Sequence, residues 1–306
     1  MKTRALIETV SLFLFLMCCG GVFTAAGQDE VGSKGIKAEE FIANRPSKPA
    51  ARRTTPAKKP TYKTAQVAAV APPPGKEFAQ VGLTLWRFRP STSADKTKEL
   101  VEEEGDTPAT QWSLERIEGD TLLAPGQRVR LSVESLSRNG YLYVINREEY
   151  VDGSLGEPRL IFPTKRTAEG GNRVKAGKMI FIPAPPRYFR IKPSLSSKGH
   201  VAELLTVIVS GEPLIDASQL STTAITLTPA QVDAWEKQWS TEPTKFEMEG
   251  GAGQVLTERE QAAVSADTDA LTKDDPLPQT IYRLAVKPND VLLVRLPLRF
   301  TPPAKP

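Results

Sequence analysis

From residue 80 onward the chain alternates apolar and polar positions in short runs, the period-two signature of half-buried β-strands. Val81, Leu83, Leu85 and Phe88 begin one run, and Trp112, Leu114 and Ile117 mark another. In RVRLSVES, Val129, Leu131 and Val133 fall on one face and Arg128, Arg130, Ser132 and Glu134 on the other, which predicts a strand with one face in solvent. Asn139-Gly140 then precedes Tyr141-Leu142-Tyr143-Val144-Ile145, and an Asn-Gly step between such runs predicts a tight hairpin. A strand over 141–147 leads through Asp152-Gly153 into Leu160-Ile161-Phe162, with Pro163 ending the run.

Further strands are predicted over 178–182, 187–192 and 203–209, where ELLTVIV is apolar enough for a central strand covered on both faces. TIYRLAV, a turn at Pro288-Asn289-Asp290 and VLLVRLPLRF predict a closing hairpin. Thr228-Pro229-Ala230-Gln231 reads as a capped helix start, with proline at the first helical position. That helix runs to about Trp239 and buries Val232, Trp235 and Trp239; Thr257-Glu258-Arg259-Glu260 repeats the capping box and starts a second short helix through Val264. GGAGQ between them reads as flexible. These elements predict a mainly β protein: an antiparallel β-sandwich or barrel-like domain over 77–306, with a short helical insertion near 228–266 and no repeat at a solenoid or propeller period.

The first part of the chain is different. Met1-Lys2-Thr3-Arg4 is followed by the apolar VSLFLFLMCCGGVFTAAG and then by Gln28-Asp29-Glu30, the layout of a secretory signal peptide ending at Gly27. Two alternatives stay open: an uncleaved anchor over Val10 to Gly27, and lipoprotein processing at Cys19. All three readings export the protein to the periplasm or cell envelope. Cys18 and Cys19 are the only cysteines. Removal of residues 1–27 therefore leaves no disulfide framework, thiolate metal site or cysteine nucleophile.

Residues 28–76 are rich in Pro, Ala, Lys, Arg and Thr and poor in large apolar side chains, which predicts a disordered tether. As extended polyproline it would reach on the order of 150 Å. It holds ten Lys and Arg against four Asp and Glu, a net charge of +6. The leader contributes +1 to the total of +4, so residues 77–306 carry −3. With no basic stripe interleaved with aromatics, nucleic-acid binding is excluded. The basic run from Arg45 to Lys76 is either a solvated spacer or an electrostatic contact to anionic envelope components.

DGSLGEPRLIFPTKRTAEGGNRVKAGK resembles an exported bacterial family, the domain of unknown function numbered 4384. The motifs are Gly140-Tyr141-Leu142-Tyr143-Val144, Asp152-Gly153, Leu160-Ile161-Phe162-Pro163, Asn172-Arg173-Val174 and Ala176-Gly177; LLTVIVSGEPL and QTIYRLAVKP extend the likeness to residues 80–300. The resemblance implies an exported β domain that in some relatives accompanies peptidase or kinase modules. It brings no assigned catalytic residues.

Candidate chemistry is sparse. His200, the only histidine, follows Ser196-Ser197-Lys198-Gly199 and reads as a surface-loop residue; no GxSxG elbow accompanies it. A metal site of several imidazoles or thiolates is excluded by count, DGSLGE lacks the ligand alternation of a calcium loop, and no cofactor motif is present. Glu148, Glu149, Asp152 and Glu157 are the carboxylates nearest the 152–158 loop, and paired carboxylates keep a glycan hydrolase as an alternative. Tyr141, Tyr143 and Tyr150, with Asp152 and Glu157, form the candidate binding surface, an aromatic platform for an envelope protein or glycan. Against this, Tyr141, Tyr143 and Ile145 share a period-two face that core packing would also produce. The loop itself reads as a turn whose glycines answer a backbone requirement while edging a binding surface. Together these features predict a non-enzymatic contact module on a tether, with a spacer lacking any ligand as a further alternative and the oligomeric state open.

Overall fold

The computed structural model describes residues 36–47, 60–64, 71–101, 110–167, 171–192, 199–265 and 270–302. The leader and the stretches 28–35, 48–59 and 65–70 of the expected tether lie outside the described residues. In chain order the strands are β1 Ile36–Lys37, β2 Thr61–Thr64, β3 Glu77–Pro90, β4 Glu99–Val101, β5 Thr110–Ile117, β6 Arg128–Ser135, β7 Gly140–Tyr150, β8 Arg159–Phe162 and β9 Arg173–Val174. They continue as β10 Ile180–Ile182, β11 Phe189–Arg190, β12 His200–Ser210, β13 Ile225–Thr226, β14 Thr244–Met248, β15 Thr280–Val286 and β16 Leu292–Arg299. Helix α1 spans Pro229–Trp239 and α2 spans Glu258–Ser265.

Two antiparallel sheets face each other as a sandwich, and neither closes into a barrel. The first has the order β1-β2-β14-β15-β3-β5-β4, with β6 on the other side of β3 and β10 and β11 beyond it. The second runs β13-β8-β7-β12-β16, with β9 beside β7. Alternate residues of both sheets fill the space between them: Val81, Leu83, Leu131 and Val133 from the first, and Leu142, Val144, Val207, Val209, Val294 and Leu296 from the second. Strand β12 lies between β7 and β16 and is buried over nearly its whole length, as its apolar run predicted.

Two predicted hairpins are not hairpins. Strands β6 and β7 belong to different sheets, and so do β15 and β16. In both cases the connecting turn carries the chain across the sandwich, because alternation records which face is buried and is silent on which strand pairs with which. Gly140 answers a steric demand here: a Cβ would stand 2.5 Å from the Ser210 carbonyl oxygen on β12. Asn289, in the second crossing, takes the left-handed conformation at φ 60°, which asparagine tolerates better than most residues.

Nor is β6 half exposed, since all eight of its residues are buried. Its polar face is roofed by a second apolar layer containing Trp86, Phe88, Phe181, Leu256 and Ala263. The charges beneath that roof are matched. Arg130 donates to Glu99 at 2.8 Å, and Arg116 donates to Glu260. The Arg128 guanidinium lies 4.3 Å from the Trp112 ring centroid. Glu260 has two tasks, because it also accepts from the Thr257 backbone N–H at 2.9 Å in the predicted capping box of α2. For α1, Thr228 Oγ1 accepts from the Gln231 N–H, and Val232, Trp235 and Trp239 pack on the outer face of the second sheet. The helical insertion also contains β14, which pairs with β15 and β2. GGAGQ is an ordered turn held by reciprocal backbone bonds between Arg116 and residues 253 and 254.

The expected tether is corrected more substantially. Residues 36–47 and 60–64 are folded and belong to the same compact unit as residues 77 onward. Strand β2 pairs with β14, matching Tyr62 to Met248, Lys63 to Glu247 and Thr64 to Phe246. Ala38, Phe41, Ile42 and Tyr62 form a separate small core with Leu136, Phe246, Met248, Leu277 and Ile281. Arg45, counted by composition among the solvated charges, is 2% exposed and donates to both Glu134 oxygens, at 2.8 and 2.6 Å. Mean composition hid this docking because a few well-spaced anchors carry it.

Candidate functional site

The predicted loop is a true hairpin turn. Strands β7 and β8 pair through Val144–Phe162, Ile145–Leu160 and Asn146–Arg159. Gly153 supplies a left-handed φ of 77°, and Asp152 Oδ1 accepts from the Ser154 N–H and hydroxyl at 2.9 and 2.6 Å. Aspartate in this position stabilises a turn by bonding its own backbone two residues on. Glu157 is exposed in the same loop, and Val151 at its tip is 73% exposed.

The five candidate residues do not form one surface. Tyr143 is 2% exposed, and its hydroxyl accepts from the Leu214 N–H at 3.0 Å. Tyr141 lies on the same face beside the α1 layer, with the Arg173 guanidinium 5.1 Å from its ring centroid and donating to its hydroxyl at 2.8 Å. Tyr143 is therefore part of the packed layer, and Tyr141 is half-buried against it. Tyr150 has the opposite parity and faces the other way.

On that opposite face, β7 changes character. Leu142 and Val144 belong to the inter-sheet core, but the next side chains on the face are Asn146, Glu148 and Tyr150. Strand β12 makes the same change, from Val209, Val207 and Leu205 to Glu203. The register joins the two polar ends, setting Glu203 opposite Glu148 and Leu205 opposite Asn146. This face-specific switch from apolar to polar was the signal in the sequence that could have located the site.

A β-bulge completes the group. The register shifts between His200 and Ala202, so that His200 rather than Val201 stands opposite Tyr150. Bulges at sheet ends re-aim side chains in this way. His200 is thus buried, not a surface-loop residue, and its ring lies 4.8 Å edge-on from Phe300 and 6.1 Å from Tyr150. Its Nε2 is 3.0 Å from the Ala202 carbonyl oxygen, an obligate acceptor, so Nε2 carries a proton. Glu203 Oε1 is 3.6 Å from the same nitrogen.

Asn146 Nδ2 donates to Glu203 Oε2 at 2.8 Å, and the Tyr150 hydroxyl donates to Glu148 Oε2 at 2.6 Å. Burial raises the pKa of Glu203 and the Glu148 carboxylate adds to the rise, against the opposing pull of Asn146, His200 and Arg159. The bond to Glu148 raises the Tyr150 hydroxyl in turn. Chemically the face can accept hydrogen bonds from hydroxyl or ammonium groups, with Tyr150 supplying a flat apolar surface. Among the described residues no cluster of histidine, cysteine, aspartate and glutamate could hold a metal ion, and no helix is long and apolar enough to cross a membrane.

Comparison with models of known families, with curated proteins and with solved structures gave no match. The motifs behind the sequence resemblance fall mostly around this hairpin, on β7, the 152–153 turn, β8 and β9. Asn172 shows how they interlock: its Nδ2 donates to the Leu142 carbonyl at 3.1 Å, and its own carbonyl accepts from the Leu142 N–H at 2.7 Å.

Proposed function

We propose that this chain is an exported, non-enzymatic contact module of the cell envelope, and that it meets its partner through the open end of the second sheet. The observation that carries this reading is the polar face of Asn146, Glu148, Tyr150 and Glu203, which continues the inner face of the sheet beyond its apolar core. Folding alone has little use for two carboxylates directly opposed across a strand pair, since like charges there are destabilising. The exposed Val151 at the adjacent hairpin tip adds an apolar contact point. The partner is an envelope protein or glycan that offers hydroxyl or amino donors. The leader in the sequence supports export, and the affinity to the family numbered 4384 remains part of the proposal.

Photo-cross-linking in the native envelope tests the reading. A photoreactive residue at Tyr150 should trap one recurrent partner, whereas the same residue at exposed Arg295 on β16 should not. Equal trapping at both positions, or none at Tyr150, sinks the proposal.

A second reading is favoured by one specific observation: Glu203, raised by burial, opposes Glu148, as an acid and its partner carboxylate would in a glycan hydrolase. Release of reducing ends from envelope glycan by the purified protein, lost in Glu203→Gln, would replace the contact-module reading with this one.

A further inference from the structure

The small core around the N-terminal segment has the composition of a recognition site. The segment brings Glu40, Phe41, Ile42, Asn44, Arg45 and Tyr62; the body offers the edge of β14, an apolar floor of Leu136, Leu277 and Ile281, and two buried charges of opposite sign. Glu134 receives Arg45, and Arg283 lies 3.7 Å from Glu40 with its guanidinium 5.0 Å from the Phe41 ring centroid. Asn44 Nδ2 donates to the Leu136 and Ser137 carbonyls at 3.3 and 3.2 Å. The seat therefore reads one particular sequence, by strand pairing, apolar anchors and a crossed pair of charges.

None of the residues of this small core belongs to the inter-sheet core. The segment is joined to β3 through Pro72-Pro73-Pro74 and a turn at Gly75, closed by the Lys76 N–H donating to the Pro73 carbonyl at 3.0 Å. Opening that turn gives up the bond between Lys76 and Pro73, and the twelve residues of sequence from 65 to 76 can span about 40 Å when extended. The partner certain to carry the matching sequence is another copy of the chain. We propose that the seat accepts residues 36–64 of a second copy, giving a strand-exchanged dimer. Exchange preserves every contact between segment and seat, which makes it a low-cost route to a dimer.

The test uses two full-length chains with Cys18 and Cys19 changed to serine, one carrying Lys63→Cys and the other Glu247→Cys. These positions are cross-strand partners in β2 and β14, within disulfide reach. Co-refolded at high protein concentration and oxidised, the mixture should give the mixed disulfide in at least tenfold excess over either homodisulfide. No excess overturns the proposal. The double variant Lys63→Cys with Glu247→Cys, oxidised when dilute, should close within one chain and so show that the segment still seats. Adding Arg45→Ala to the Lys63→Cys chain should lower the mixed disulfide at least tenfold, because the other chain's intact segment then outcompetes it. An unchanged yield rejects sequence-specific exchange.

Discussion

The seat of the N-terminal segment and the open end of the second sheet both place charge out of bulk water, and they resolve it in opposite ways. At the seat and under the neighbouring roof, cation meets anion: Arg45 with Glu134, Arg116 with Glu260 and Arg130 with Glu99. Burial alone would push Arg45 down, but Glu134 more than offsets it and holds the guanidinium above its ordinary value. At the open end, Glu203 opposes Glu148, and its carboxyl is raised. The first region has the economy of a site whose ligand is already in place. The second retains two opposed carboxylates that its own side chains only partly relieve, a cost to the fold that the proposed contact role would account for.

The sharpest way to break this contrast is to remove one half of a matched pair. Arg45→Ala leaves Glu134 buried at 3% exposure with, among the described residues, only the Gly177 N–H donating to it, at 2.9 Å. The expected loss is about 3–5 kcal/mol, since the uncompensated charge costs more than the pair contributes. Urea unfolding reads the loss directly. A change below about 1 kcal/mol would mean that the segment is a passive passenger on the sheet edge.

Replacing both partners sharpens the same point with a smaller effect. Arg45→Met combined with Glu134→Leu removes the charge problem altogether, and buried ion pairs exchanged for apolar side chains are often neutral or stabilising. The Gly177 N–H would then be left buried without its acceptor, which costs about 1–3 kcal/mol. The double variant should therefore unfold nearer to wild type than Arg45→Ala does. If it is the worse of the two, the pair itself supplies the stability.

How much of this was legible in the sequence depends on the range of the interaction. Local rules succeeded: the cap at Thr228, the capping box from Thr257 to Glu260, the Asp152–Gly153 turn and the buried run of β12 all follow from neighbours in the chain. Partner choice did not. Strands β6 and β7, and later β15 and β16, read as hairpins because alternation is the same whether the next strand pairs or crosses to the facing sheet. β14 was missed, as its TKFEM is short and carries two charges in five residues. The docked segment was averaged into a basic, proline-rich composition. The candidate surface failed by parity, since Tyr150 lies an odd number of residues from Tyr141 and Tyr143. Glu148 and Glu203 are neighbours only through the β7–β12 register, and His200 joins them only through the bulge, so no short motif could have announced the group.

The smallest expected effect bears most directly on the open end. Glu203→Gln keeps an oxygen that can accept from Asn146 and removes the charge facing Glu148. A glutamate whose folded pKa stands above its unfolded value of about 4.3 binds more protons when folded. Its contribution is therefore complete below that value and is lost as pH rises through the folded pKa. Wild type should lose stability relative to Glu203→Gln as pH rises over that window, and above it the variant should be the more stable by up to about 1 kcal/mol. Parallel urea midpoints from pH 4 to 8 would show that Glu203 is not strained by its setting. The decisive combination is a variant that is more stable yet traps less partner through position 150. It would mean that the opposed carboxylates are kept at a cost to the fold because the partner needs them, whereas the charges at the seat are kept because the fold itself does.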